Sequence, residues 1–174
     1  MTVEHQPVFK DLHHLINLAA RKRSAGGFTT VWLVFGLADL GLSAHDVRAE
    51  LEHAEKKRVH LAWNNPGLPL WFYLHFQEPK AFVRDMGAIN GALEKAIDGY
   101  SYTSEYFLND GDNFHLRLYS AKSKAAVNGA MYNDRTRMEA GLEPTRMIAL
   151  LNEITDICGL ADLSRNQKQL GLKK

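Results

Sequence analysis

The chain has 174 residues, 45% hydrophobic and 24% charged, a balance that fits one globular domain with a sizeable core and excludes disorder except at the ends. A formal net charge of +1 lacks the basic excess of many nucleic-acid-binding domains, although a local patch is enough for such contacts. The single cysteine, Cys158, excludes an intrachain disulfide and a multi-cysteine zinc site, and residues 31–42, the longest apolar run, are too few to span a bilayer.

A first helix is expected from Pro7 to Arg23, with Val8, Leu12, Leu15, Ile16 and Ala19 on one apolar face and Gly26-Gly27 as its stop. Residues 31–38 (VWLVFGLA) are apolar on every side. They read as a buried second helix starting at Thr29 or Thr30, with a strand as the competing assignment. Ser43 and Asp46 have capping-box spacing and open a third helix that ends in Lys56, Lys57 and Arg58. The pattern then alternates. Residues 59–63 and 70–76, separated by Asn64-Asn65-Pro66-Gly67, read as a β-hairpin. A fourth helix follows from Pro79 to Ile97. A second strand pair is expected at 100–108 and 113–119 around Asn109–Asp112, then helices from Ser120 or Ser123 to Ala140 and from Pro144 to Gly159.

The fold class expected is α+β: three N-terminal helices, then two hairpins forming an antiparallel sheet, each followed by helices. Residues 1–164 form the domain, with a subdivision at 1–76 and 77–164, and 165–174 are a flexible tail.

Leu37-Ala38-Asp39-Leu40-Gly41-Leu42-Ser43, followed by Val47-Arg48 and Leu51, resembles a helix-turn-helix core, with Gly41 at the turn and Val47 six positions on. With residues 59–76 as a wing, residues 8–76 are similar to a winged helix-turn-helix domain. The resemblance implies DNA contact by His45 and Arg48 near the N-terminus of the recognition helix. The alternative is that the same three helices only pack together, since Asp46, Glu50, Glu52 and Glu55 on that helix repel phosphates.

Alternation in the strands sets His60, Trp71, Tyr73, His75, His115, Arg117 and Tyr119 on one sheet face. Trp71, Tyr73, Arg117 and Tyr119 would make a stacking platform for nucleic acid, and His60, His75 and His115 a cluster fit for acid–base work. The plain alternative is that helices cover this face and the rings fill the contact. His13 and His14 are adjacent on a helix and cannot both join a site on one face. No metal and no cofactor are expected. The function expected is a small nucleic-acid-associated accessory or regulatory protein that is not an enzyme. The alternatives are an enzyme built on the histidine cluster and a protein–protein adaptor. A nucleic acid and a second copy of the chain are the partners considered, with no membrane. The absence of a secretory signal in residues 1–10 points to the cytoplasm.

Overall fold

The computed structural model describes residues 1–6, 9–108 and 114–169, with side chains up to Gly159. Helix α1 (Leu12–Gly26) begins where the Asp11 carboxylate accepts from the His14 N–H at 2.7 Å and ends at Gly27 in the left-handed region (φ 65°). It buries Leu12, Leu15, Ile16 and Ala19. Strand β1 (Trp32–Gly36) follows, then a 3-10 turn (Ala38–Leu40) closed by Gly41 at φ 63°. Helix α2 (Ala44–Lys57) carries the full capping box. The Asp46 N–H donates to Ser43 Oγ, and the Ser43 N–H and hydroxyl donate to Asp46, holding that carboxyl below its usual range. Strand β2 (His60–Asn64) lies parallel to β1, in register from Trp32 beside His60 to Gly36 beside Asn64. A parallel pair needs a crossover, and α2 supplies it, so β1-α2-β2 is a βαβ unit.

The remaining elements of the described chain are helices joined by loops: α3 (Pro69–Leu74), α4 (Met86–Ala96), α5 (Ser104–Leu108), α6 (Phe114–Ser120), α7 (Lys122–Arg135), a 3-10 turn (Glu139–Gly141) and α8 (Met147–Gln169). Two apolar clusters hold it together. One joins α1, the βαβ unit, Met138 and Leu142 around Trp63, Phe35, Val47 and Ile16. The other joins α3, α4 and α7 around Leu70, Leu74, Leu93, Ile97, Phe114 and Tyr132. Phe82 packs on both. Residues 144–146 return across the first cluster and dock on the end of β2. The Asn65 N–H donates to Pro144 O and the Arg146 N–H to Trp63 O, each at 2.9 Å. Among the described residues, no helix is long and apolar enough to cross a membrane.

The expected antiparallel sheet of two hairpins is overturned, because the only sheet among the described residues is the parallel pair. Residues 31–38 hold a strand where a helix was expected. A short unbroken apolar run does not separate strand from helix by period, and here it forms a strand with Phe35 buried and Val34 exposed. Residues 70–76, expected as a strand, contain most of α3. Pro69 starts that helix, and Leu70 and Leu74, four apart, are both fully buried. The second hairpin is replaced by α5 and α6. Its expected turn at 109–112 lies outside the described residues. Of the expected tail, 165–169 belong to α8, and 170–174 lie outside the described residues. With no helix at 31–38 and no wing at 59–76, the helix-turn-helix arrangement is not formed. Gly41 does make a turn and Val47 is buried, but the turn joins a strand to α2.

His75 closes α3 at 5% exposure, its Nδ1 2.8 Å from Trp71 O. Burial pushes the imidazole below its ordinary 6.5, and the backbone contacts of Trp71 and Phe72 oppose that shift only in part. The unfolded chain therefore takes up a proton at higher pH than the folded one. Stability from this site is complete above about pH 6.5 and is lost as pH falls from there through the depressed folded value. Urea unfolding at pH 7.5 and 5.5 should show the wild type losing more stability than His75→Phe. Equal losses in the two proteins would refute this account.

Candidate functional site

In parallel α/β structures, ligands bind beyond the carboxyl ends of the strands. Here β1 and β2 end side by side at Gly36 and Asn64. A side chain at Gly36 would place its Cβ 2.7 Å from Gly67 Cα and 2.1 Å from Asp39 Oδ2, so the turn after β1 presses against the turn after β2. Between them, the Tyr102 hydroxyl donates to Asp39 Oδ2 at 3.4 Å. Burial, then the neighbouring carboxylate, pushes this phenol from its ordinary 10 up to about 12. Beside it is a cavity of about 320 Å³ lined by Leu68, Phe72, Tyr102, Thr103, Ser104 and Phe107.

The other side of the strand ends is more polar. Asn64 and Thr145 are fully buried and Asn133 nearly so. The Thr145 hydroxyl donates to Asn64 Oδ1 at 2.7 Å. Asn133 grips the Thr145 backbone with both ends of its amide: Nδ2 donates to Thr145 O at 2.7 Å and Oδ1 accepts from Thr145 N at 3.1 Å. A buried carboxamide satisfied in this way locks residues 144–146 onto α7 and β2 at once. Trp63 adds a second lock, its indole N–H donating to Glu143 O at 2.9 Å while the Arg146 guanidinium lies 5.2 Å over the ring.

Outside this lock opens a cleft of about 410 Å³ between α7, α8 and the 143–146 segment. Its chemistry comes from Arg137 and Arg146, Asp134 and Glu143, and the exposed amide of Asn152, while Asn133 lines the cleft with its own amide committed to Thr145. That volume suits a small molecule or one unit of a polymer. Two arginines supply forked donors for phosphate, two carboxylates accept from hydroxyl or amino groups, and the Asn152 amide does either.

The residues singled out from sequence are not brought to one place. His45 and Arg48 are exposed on the first turns of α2. Trp71 and Tyr73 are half-buried on α3, packed against the second apolar cluster. Arg117 and Tyr119 are exposed on α6, with the Lys122 ammonium 4.2 Å from the Tyr119 ring. The shared strand face does not exist. The expected histidine cluster is not assembled either: His60 stacks on Trp32 at 4.8 Å on the sheet, His75 is buried at the end of α3, and His115 lies on α6. Reasoning from sequence missed Asn64, Asn133, Thr145, Arg137 and Arg146 as a group. Asn64 could have been flagged, since a carboxamide ending a strand of alternating apolar residues needs partners if buried; Thr145 meets its Oδ1, while its Nδ2 has none among the described residues.

A family model described as RloB-like protein matches residues 2–160. Comparison with curated proteins and with solved structures gave no match.

Proposed function

We propose that this chain, which belongs to the RloB-like family, is a small nucleic-acid-associated accessory or regulatory protein that takes a nucleotide unit into the cleft beside Arg137 and Arg146. The observation that carries the reading is the convergence of two arginines, two carboxylates and the Asn152 carboxamide at the carboxyl end of β2. A bare anion would meet the arginines but also the repulsion of Asp134 and Glu143. A nucleotide offers phosphate oxygens to the former and sugar hydroxyls or amino groups to the latter. The near-zero net charge argues against a long phosphate-tracking surface and suits a contact confined to one or two nucleotides. A single strand can present such a unit without the cost of unpairing it.

Fluorescence anisotropy with short single-stranded and duplex oligonucleotides, at about 50 mM and about 200 mM salt, tests this reading. Single strands should bind more tightly than duplex and weaken with salt. Arg137→Gln and Arg146→Gln should each cost about 1–3 kcal/mol of binding. Light scattering on the same samples reports whether a second copy of the chain takes part. Absence of binding at the lower salt, or unchanged binding by the doubly substituted protein, would overturn the proposal.

A further inference from the structure

Away from the cleft, α1 and α2 pack along one another and bring together three side chains that neither helix could assemble alone. His13 lies on the first turn of α1, and Glu50 and His53 lie one turn apart on α2. One ligand atom from each falls within 4.8 Å of the other two. His13 Nδ1 is 3.0 Å from Glu50 Oε2, and the two imidazoles stack with centroids 4.0 Å apart and planes 14° from parallel. Behind them, Asn17, one turn after His13 on α1, holds its Oδ1 3.2 Å from His53 Nε2. A carbonyl oxygen on one ring nitrogen fixes the ring and leaves the other nitrogen for a ligand, the arrangement that supports metal-bound histidines.

We propose that His13, Glu50 and His53 form a binding site for a divalent transition metal of the zinc class, clamping α1 to α2 and leaving a fourth position to water. Two imidazoles and one carboxylate suit zinc, or nickel or copper in its place, and are a poor set for magnesium or calcium, which take mainly oxygen ligands. Ligand atoms around a tetrahedral zinc stand roughly 3.3 Å apart, from bond lengths near 2.0–2.1 Å. The observed spread of up to 4.8 Å therefore closes by about 1.5 Å at its widest. The required motion is a splay of the two rings out of their stack, so that their lone pairs converge. It is available because His13 is half-exposed and neither imidazole belongs to the apolar core. Metal binding would add a cross-link between residues 37 positions apart in sequence. It would also fix the βαβ unit against α1, since α2 is its crossover.

Titration of the full chain with zinc sulfate in a calorimeter, paired with thermal melting and repeated with Co²⁺ for its visible d–d bands, tests the site. One zinc per chain is expected, with a raised melting temperature and Co²⁺ bands of a four- or five-coordinate ion. Magnesium and calcium should do neither. His13→Ala and His53→Ala should each weaken zinc binding by more than about tenfold, and Asn17→Ala by about tenfold. His45→Ala and His115→Ala, both on exposed positions elsewhere, should leave it unchanged. Circular dichroism of the metal-free variants should show that they fold, as expected for substitutions outside the core. No zinc binding by the wild type overturns the proposal. So does zinc binding that survives in His13→Ala or His53→Ala, because the metal then sits on other histidines. Either failure leaves the oligonucleotide result untouched, since the two sites share no residue.

Discussion

Trp63→Ala should destabilise the protein by about 3–5 kcal/mol and abolish oligonucleotide binding in whatever fraction remains folded. The indole is 2% exposed at the centre of the first apolar cluster, so truncation leaves a large cavity. Two further losses follow. Glu143 O loses its donor, and the Arg146 guanidinium loses the ring beneath it, so the segment lining the cleft loses a side-chain contact at each of its ends. Trp63→Phe separates these contributions. It keeps most of the apolar volume and a ring under Arg146 but removes the N–H, and should cost roughly 1–2 kcal/mol. Urea unfolding followed by far-ultraviolet circular dichroism measures both. If Trp63→Ala cost less than about 1 kcal/mol, the indole would not hold this segment in place.

Helix α2 was legible to the residue at its start, because the capping box is a local code: Ser43 and Asp46 carry it within one turn. Strand β2 was legible as a strand from its alternation, but its partner was not. Parallel pairing with β1 is decided by how α2 packs, which no turn residue announces, whereas Asn65-Pro66-Gly67 advertised a hairpin that α3 does not complete. The aromatic run at 71–73 favours a strand by propensity. The deeper signals were the fourfold spacing of Leu70 and Leu74 and the proline before them. For α6, Phe114 and Leu118 repeat that spacing, and both pack in the second cluster.

The sites are less legible than the elements for the same reason. Glu50 and His53 have the one-turn spacing that puts two ligands on one helix face, but His13 joins them only through the contact of two helices. In the cleft the decisive bond, Thr145 to Asn64, spans 81 residues. Charge counting was no guide to it, since the lining arginines and carboxylates cancel in the net charge while remaining separate groups in space.

Thr145 also bears on stability through its backbone, and Asn133, which pairs with that backbone, gives the second large effect. Asn133→Leu should cost about 2–6 kcal/mol although it exchanges one side chain for another of similar size. The loss arises in the backbone of Thr145, whose N–H and carbonyl are both bonded to this one amide in a fully buried position. Leucine leaves each of these groups unpaired, at about 1–3 kcal/mol apiece. Asn133→Asp discriminates between packing and pairing. It preserves the shape and still accepts from the Thr145 N–H, but it turns an oxygen toward the Thr145 carbonyl where a donor stood, so it too should destabilise at neutral pH. It should recover part of the loss when acid protonates the carboxyl and restores a donor. Denaturant midpoints of both variants at pH 7 and pH 4, each referred to wild type at the same pH, measure the difference. An aspartate variant as stable as wild type at pH 7 would show that Thr145 finds other partners, and that Asn133 is not what fixes residues 144–146 beneath the cleft.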